Sequence, residues 1–346
     1  MAMPTRIDER LVPAYRSDRI WTAVTTTPEG RVFVGFPGAD GAGPQVAEIV
    51  ADGDLVPYPN AEFNSGDGAP ADRFVRVNAL RMGPDGHLWI VDAGAPEFGA
   101  PQVPGAARLI VVDVDTDSVV QVYDLGPVLR EQSYVDDVRF NGDRAYLTDA
   151  GAPGLIVLEL STGWLRRVLE DHPSTIGRRP LRADGEVLRD ASGGEVHLHS
   201  DQLEVSPDGR YLYYQPASGP LSRLETRWLD DPEVPAETLA QHVRTWVETP
   251  TAGGTAIDAN GTIYFSDPDQ RRILRIAPDR QVDTLVADAR LTWPDAMWID
   301  GAGTLWIPAA QLNRTAGFNA GRSAVEYPVW IYQLPIGARP APNDHA

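Results

Sequence analysis

Four oxygen-bearing side chains occupy equivalent places in a repeated sequence pattern: Asn78, Asp136, Asp201 and Asp295. Each begins a strand-like run, although Asp and Asn are depleted in strands. Converging carboxylate and amide oxygens could bind Ca²⁺ or another divalent cation. Clustered carboxylates could also exchange protons with a substrate. The alternative is a structural role, in which the same side chains cap backbone N–H groups and hold water.

A second group of proton-transfer candidates lies directly before Asp201. Glu195, His197 and His199 alternate with apolar residues, so in a strand the two histidines would share one face. A histidine beside a carboxylate can move protons near neutral pH. The alternatives are a solvated pair of edge-strand histidines and a zinc site, for which the sequence offers no matched fourth ligand.

The type and spacing of the residues that flank these positions predict a role for each of them. Together they predict a substrate-binding wall of acidic, aromatic, imidazole and amide side chains: Asp136, Asp137, Tyr134, His197, Trp293, Gln311 and Asn313. Packing between repeats is expected of three tryptophans within apolar runs: Trp89, Trp298 and Trp306. Turn formation is expected of three aspartates that end such runs: Asp92, Asp149 and Asp267.

Six segments share the pattern that must position these side chains. In each, two apolar runs joined by a turn such as Pro84-Asp85-Gly86 predict a β-hairpin. Further apolar runs between the hairpins bring each repeat to about four strands, which is how a propeller blade is built. The sequence therefore predicts an all-β, six-bladed propeller of four-stranded antiparallel blades around a central channel, as one domain over residues 1–346. Its innermost strands begin near residues 22, 78, 136, 201, 253 and 295.

Three stretches interrupt the repeats. Residues 60–73 and 171–195 show little periodicity and predict irregular loops, of which the second is an excursion between the third and fourth repeats. Val234–Val247 follows a proline-rich stretch and predicts a helix.

Composition narrows the class of partner. The formal net charge of −19 disfavours nucleic acid and anionic membranes. The absence of cysteine excludes disulfides and thiolate sites, and no segment reads as a signal peptide or membrane span. Motifs for nucleotide hydrolysis, dinucleotide binding and serine hydrolysis do not occur. We expect a cytoplasmic protein, monomeric or weakly homo-oligomeric, that acts on a small molecule.

Several segments, taken in order along the chain, resemble the Yellow/major royal jelly protein family. They lie within residues 21–334 and comprise His87–Gly94 (HLWIVDAG), Ala145–Leu160, Ser200–Gly219, Trp293–Asp300 and Ala309–Arg314 (AAQLNR). The chain looks like the bacterial branch that is related to dopachrome tautomerase. This resemblance implies a six-bladed propeller similar to gluconolactonases and regucalcin-type proteins.

The resemblance also bears on the six positions where innermost strands begin, which we call the ring. Gluconolactonase-like propellers use a Glu, Asn, Asn and Asp set at comparable places. Asn78, Asp201 and Asp295 fit that set, whereas Thr22 replaces its Glu. Where relatives typically carry Ser-Asp-Gly, this chain has Ala252-Gly253-Gly254, which predicts a wider and less acidic channel mouth.

The resemblance to dopachrome-converting proteins implies an enzyme that moves protons on a small aromatic or quinonoid molecule, as a tautomerase, isomerase or cyclisation catalyst. In this hypothesis Asp201 or Asp295 is the base and His199 its proton partner. Asn78 would donate to an oxyanion or enolate. The alternatives are a divalent-metal-dependent lactonase and a non-catalytic protein that binds a small amine.

Overall fold

The first and last strands of the chain lie side by side. In the computed structural model, which describes residues 7–343, β1 (Val12–Ser17) pairs antiparallel with β26 (Val329–Pro335). Because β1 is the outermost strand of the last blade, this pairing closes the ring of blades and leaves only short sheet edges. The repeat pattern begins at Trp21 and does not predict β1.

The other strands complete six four-stranded antiparallel sheets, which confirms the predicted six-bladed propeller. Blade one contains β2 (Ala23–Thr26), β3 (Val32–Gly35), β4 (Val46–Ile49) and β5 (Leu55–Pro57). Blade two contains β6 (Val77–Met82), β7 (Leu88–Asp92), β8 (Arg108–Asp113) and β9 (Ser118–Asp124). Blade three contains β10 (Val135–Asn141), β11 (Arg144–Asp149), β12 (Gly154–Glu159) and β13 (Leu165–Val168).

The second half of the chain follows the same plan after a short hairpin of β14 (Arg182–Ala183) and β15 (Glu186–Val187). Blade four contains β16 (Ser200–Val205), β17 (Tyr211–Pro216), β18 (Leu221–Glu225) and β19 (Arg244–Val247). Blade five contains β20 (Thr255–Ile257), β21 (Ile263–Asp267), β22 (Arg272–Ile276) and β23 (Val282–Ala287). Blade six contains β24 (Trp298–Ile299), β25 (Thr304–Ala309), β26 and β1. Residues 1–6 and 344–346 of the predicted single domain lie outside the described residues.

The innermost strands of blades one to five begin within two residues of their predicted starts. Blade six differs, because β24 has only two residues and begins at Trp298. Before it, Pro294 forms one isolated bridge to Ala309, and Trp293 has a positive φ of 51°. The sixth ring position, Asp295, therefore lies on an irregular segment rather than in a strand.

Large side chains fill the space between blades, as predicted for the tryptophans. The ring of Trp89 in blade two packs 4.9 Å from that of Phe140 in blade three. Trp298 in blade six donates its indole N–H to Thr26 Oγ1 in blade one at 3.0 Å. Trp306 is buried in the same core cluster as Trp298. Such contacts fix each blade against its neighbour and so hold the innermost strands at a constant radius.

The predicted helix over Val234–Val247 is wrong in its second half. The helix α2 (Ala236–His242) begins after Pro235, and the chain then enters β19. In β19 Trp246 is buried and packs 4.5 Å from Tyr213, and pairing with β18 outweighs helix propensity. A second helix, α1 (Thr226–Asp230), was not predicted. No helix within residues 7–343 has the length and apolar character needed to cross a membrane.

Short 3₁₀ turns complete the secondary structure. They are Ala51–Gly53, Pro70–Asp72, Gly126–Val128 and Leu312–Arg314. The second of these lies in the predicted loop over residues 60–73, which otherwise contains turns and bends only.

Candidate active site

A cavity of about 740 Å³ opens where the innermost strands begin. All six ring positions line it, as their spacing predicts: Thr22, Asn78, Asp136, Asp201, Gly253 and Asp295. The predicted wall residues Tyr134, Asp137, His197 and Trp293 also line it. The propeller thus gathers side chains from distant parts of the sequence into one enclosed space.

The carboxyl groups of Asp136 and Asp201 form a hydrogen-bonded pair in this cavity. Each is held by an amide from an innermost strand. Asn78 Nδ2 lies 2.5 Å from Asp136 Oδ1 and 3.1 Å from the Asp136 carbonyl oxygen, and Gln202 Nε2 donates to Asp201 Oδ1. Two carboxyl groups can share a hydrogen bond only if one carries a proton. The pair is therefore an acid next to a base.

Burial is the main cause that shifts the titration of this pair. Burial, followed by the nearby charge of Asp137, raises the pKa of Asp136 to about 7. Burial and the charges of Asp136 and Asp295 raise the pKa of Asp201 well above its ordinary value. The hydrogen bond between the two lowers the pKa of Asp136 and raises that of Asp201. The proton of the pair therefore lies on Asp201, and Asp136 accepts.

Asp295 is the third acid of the cavity. Its Oδ2 accepts the indole N–H of Trp293 at 3.0 Å, and its Oδ1 accepts the backbone N–H of Ala296 at 2.9 Å. Burial raises the pKa of Asp295 well above its ordinary value, while these two hydrogen bonds act in the opposite direction. These two hydrogen bonds hold the Asp295 carboxyl group in place.

Asp137 faces the same cavity but belongs to a buried ion network. Arg139 donates to Asp137 Oδ2 at 2.6 Å and to both oxygens of Glu204 at 3.0 Å. Thr255 donates its hydroxyl to Glu204 Oε1 at 2.7 Å. Asp137 is thus tied to an arginine that it shares with Glu204. We assign Asp137 to positioning the pair rather than to substrate contact.

The prediction of a wider mouth at Gly253 is wrong. A Cβ atom at Gly253 would overlap the carbonyl oxygen of Pro294, and one at Gly254 would overlap that of Asp295. The space that a side chain would take is filled by the backbone of blade six. The two glycines therefore allow the Trp293 to Asp295 segment to move inward, and Trp293 Nε1 lies 3.0 Å from the Cβ position of Gly253. Because these two positions carry no side chain, the Trp293 ring can line the cavity there.

Two aromatic pairs form opposite parts of the cavity lining. Trp293 and Phe318 are stacked, with ring centroids 6.0 Å apart and planes 29° apart. Tyr134 and Phe98 meet edge to face at 5.4 Å. Tyr134 and Trp293 were predicted, whereas Phe98 and Phe318 were not, because both lie in loops with no repeat pattern. Flat rings in such places suit a planar ligand.

The predicted excursion loop is the roof of the cavity; we define the roof as residues 171–199. Asp190, Ala191 and residues 195–198 of the roof line the cavity. At its far end, Arg189 exchanges backbone hydrogen bonds with Phe318 and Ala320 at 3.2 and 2.8 Å. The roof therefore crosses from the blade three to four connection to the loop that follows β25.

The two roof histidines hold backbone rather than forming a catalytic pair. Gly177 N donates to His199 Nδ1 at 3.1 Å, and the carbonyl oxygen of Gly177 lies 3.1 Å from His197 Nδ1. Burial lowers the pKa of His199. Among the described residues that line the cavity, His197 is present and His199 is absent. His199 is therefore misplaced for the proton-partner role that the sequence suggested.

The amides predicted for the wall point elsewhere. Gln311 donates its side-chain N–H to the Glu326 carbonyl at 2.7 Å, and Asn313 donates to Asp184 Oδ2 at 3.1 Å. Neither belongs to the described cavity lining, to which the same segment contributes Leu312 and Thr315 instead. The 3₁₀ turn at Leu312–Arg314 turns residues three apart, Leu312 and Thr315, toward the cavity, which a strand-like interpretation of AAQLNR could not anticipate.

The donor arrangement does not favour the predicted divalent cation. Within residues 7–343, no group of three or more His, Asp or Glu side chains is placed to hold a metal ion. Asn78 presents its amide nitrogen to Asp136, and Asp136 is bonded to Asp201, so these groups satisfy one another. Among the described residues, Glu195, His197 and His199 are likewise not placed to hold a zinc ion. The Ca²⁺ set of Asn78, Asp136, Asp201 and Asp295 stays a prediction.

Solved structures of the same fold include proteins with enzyme names. A virginiamycin B lyase from Staphylococcus aureus matches at 15% identity with a TM-score of 0.51, over 86% of this chain and 94% of its own. A luciferin-regenerating enzyme matches at 10% identity with a TM-score of 0.58, over 97% of both chains. At these identities the likeness shows the fold alone. A search of curated protein sequences finds no match.

A family model identifies the sequence more specifically. The model described as major royal jelly protein matches residues 77–340, which runs from the start of blade two to beyond β26. The match agrees with the segments that carry the resemblance, and it covers well over half of the chain. This chain belongs to the major royal jelly protein family.

Proposed function

We propose that this protein is an enzyme that catalyses proton transfer on a small aromatic or quinonoid molecule, as a tautomerase, isomerase or cyclisation catalyst. The observation that carries the proposal is the pair of Asp136 and Asp201 in the cavity. Near neutral pH one carboxyl of the pair is ionised and its neighbour is protonated. Such a pair supplies a general base and a general acid within one hydrogen bond.

A tautomerisation through this pair is balanced without a redox cofactor. Asp136 removes a proton from a carbon next to a carbonyl or imine, and Asp201 donates its proton to the oxygen or nitrogen at the other end. The electron pair of the broken C–H bond moves into the ring system. One proton enters and one leaves the protein, so a shift of the proton from Asp136 to Asp201 restores the starting state.

The other groups have supporting roles in this mechanism. The Asn78 amide donates to the carbonyl oxygen and to Oδ1 of Asp136, so Asn78 orients the base instead of donating to an oxyanion. Asp295 lies beside the Trp293 wall, where a neutral carboxyl could donate to a substrate oxygen. The aromatic pairs of Trp293 with Phe318 and of Tyr134 with Phe98 support a flat substrate. The enzyme names of two proteins with this fold agree with an enzymatic role.

The test is the rate at which an orthoquinonoid aminochrome loses its visible absorbance in the presence of the protein. We expect Asp136→Asn and Asp201→Asn each to lower turnover by ~10²-fold or more, the usual contribution of general acid–base catalysis. Asp283→Asn is the matched control, because Asp283 is exposed on the outermost strand of blade five. Wild-type rates in both cavity variants would refute the assignment.

Two alternatives predict different results from the same preparation. A divalent-metal-dependent lactonase would carry bound Ca²⁺ or another cation, lose activity to a chelator and hydrolyse lactones. A non-catalytic protein would bind a small amine with measurable heat and form no product. Metal analysis and calorimetry therefore separate both from the proton-transfer enzyme.

A further inference from the structure

Arg76 brings a positive charge to a cavity otherwise dominated by acids. It precedes β6, where Asp92 Oδ1 accepts its backbone N–H at 2.9 Å. Its guanidinium reaches to blade one and donates to the carbonyl oxygen of Pro37. Among the described lining residues, Arg76 is the only arginine or lysine. The sequence did not single it out, because it lies outside the six ring positions.

Part of this guanidinium has no partner. The Nε atom of Arg76 is buried and makes no hydrogen bond to the described part of the chain. An unsatisfied N–H on a charged, buried group is costly, and native proteins rarely leave one without an acceptor. An acceptor brought by a ligand would therefore stabilise this guanidinium.

A second unsatisfied group lies at the same corner of the cavity. Thr22 is only 5% exposed, lines the cavity, and its Oγ1 has no hydrogen-bond partner within residues 7–343. Its backbone N–H bonds to the Gly35 carbonyl at 3.0 Å, which places Thr22 beside the end of β3. Pro37, which accepts from Arg76, follows two residues after that strand end. Two buried groups that can donate thus share the blade one corner.

The negative charge that faces this corner is smaller than the number of aspartates in the cavity suggests. Burial raises the pKa of Asp201 and Asp295 well above their ordinary values, which favours the neutral forms. Arg139, which Asp137 shares with Glu204, donates to Asp137 at 2.6 Å and offsets part of the charge of that carboxylate. A ligand anion at Arg76 would therefore face mostly neutral carboxyl groups and not a fully ionised ring.

We propose that Arg76 and Thr22 form an anion subsite that takes the carboxylate of a planar aromatic substrate. The proposal rests on the proposed function, since it names the class of substrate for the same cavity. A guanidinium edge matches a carboxylate in shape and charge. The carboxylate would bind at the blade one corner while the ring lies between the aromatic pairs, with its reactive atoms toward Asp136.

The test compares indole-2-carboxylate with indole as probes, by calorimetry on the full chain at pH 7.5. We expect the wild type to bind the carboxylate about tenfold or more tightly, as for a hydrogen bond to a charged group. Arg76→Gln should lose this preference and keep its affinity for indole. Thr22→Val, which preserves shape, should lower carboxylate affinity about threefold. Asp283→Asn should behave as the wild type.

Three outcomes would overturn the subsite: equal affinity for both probes in the wild type, no binding of either probe, or an unchanged preference in Arg76→Gln. Thermal unfolding of each variant checks that it is folded, and Thr22→Val gives an independent arm if Arg76→Gln is not. Asp136→Asn and Asp201→Asn separate this proposal from the catalytic one. If both variants keep their turnover while the carboxylate preference persists, the subsite stands and the proton-transfer function fails.

Discussion

Two sets of aspartates in this propeller are enclosed by protein but differ in their partners. The strand-end aspartates lie at the ends of second strands and each pair with an arginine: Asp92 with Arg108 at 3.3 Å, Asp149 with Arg167 at 2.9 Å and Asp267 with Arg272 at 2.7 Å. The cavity aspartates are Asp136, Asp201 and Asp295. Asp136 and Asp201 bond to each other and to side-chain amides, and Asp295 accepts from an indole and a backbone N–H.

The comparison teaches that burial alone does not mark a reactive carboxyl. Burial raises the pKa of Asp92 too, but three backbone N–H groups and Arg108 oppose that shift. Asp149 accepts the N–H groups of Tyr134 and Ala152 at 2.8 and 2.9 Å, beyond the turn-forming role that its sequence position suggests. Strand-end aspartates therefore fix loops, whereas cavity aspartates have like charges as neighbours and an open space to act on.

The largest expected effect is on stability, at a strand-end aspartate. Asp149→Asn leaves Arg167, whose side chain is 4% exposed, with only the more distant Glu170 carboxylate, at 3.7 Å, as a counter-charge. Removing one partner of a buried ion pair typically costs about 3–5 kcal/mol of unfolding free energy. We expect a loss of this size in urea unfolding, and less than ~1 kcal/mol for Asp201→Asn, which replaces a protonated carboxyl with an amide that can still donate to Asp136. If Asp201→Asn lowers the unfolding free energy as much as Asp149→Asn does, the distinction between cavity and strand-end aspartates is wrong.

The next effect concerns the space around a cavity aspartate. Gly253→Ala places a Cβ against the Pro294 carbonyl and must displace the segment that carries Asp295. A shift of about 1 Å in a reacting group can cost ~10²-fold in rate. We expect a clear loss of turnover in the aminochrome assay. Gly301→Ala, at an exposed turn in blade six where nothing lies within 4 Å, is the glycine control for turnover. Equal rates in the Gly253→Ala and Gly301→Ala variants would contradict the close approach of the Pro294 carbonyl to Gly253.

The smallest effect is the pH dependence of stability. The pKa of Asp136 is about 7 in the folded protein and 3.8 when unperturbed, so the folded state binds more protons between these values. Stability should therefore be greatest near pH 4 and fall as pH rises through 7. Asp136→Asn should reduce this fall by at least ~1.4 kcal/mol, the equivalent of one pKa unit. Parallel curves of unfolding free energy against pH for variant and wild type would count against the raised pKa.

The sequence predicts the parts of this molecule that repeat. The ring positions could be located because six hairpins place Asn78, Asp201 and their equivalents at the same distance from a turn. Tyr134 and Trp293 followed because they adjoin those positions. What repeats in sequence repeats in space, and the register of a hairpin fixes which side chains face the channel.

The remaining features depend on contacts between distant segments. Arg76 reaches Pro37 in another blade, and the roof meets Phe318 more than a hundred residues along the chain. His199 carries a plausible residue type but its ring faces Gly177. Gly253 could be noticed as a departure, yet only the structure shows that the backbone of blade six fills its space. No local pattern encodes such packing.

The central claim is that Asp136 and Asp201 share a proton near neutral pH. The most direct measurement is a ¹³C NMR titration of aspartate carboxyl carbons, with Asp136→Asn and Asp201→Asn used for assignment. The account predicts one carboxyl with a midpoint of about 7, absent from Asp136→Asn, and a second that titrates well above 3.8. If every aspartate instead titrates below pH ~5, within the usual spread for this side chain, the pair holds no proton at neutral pH and the mechanism is wrong.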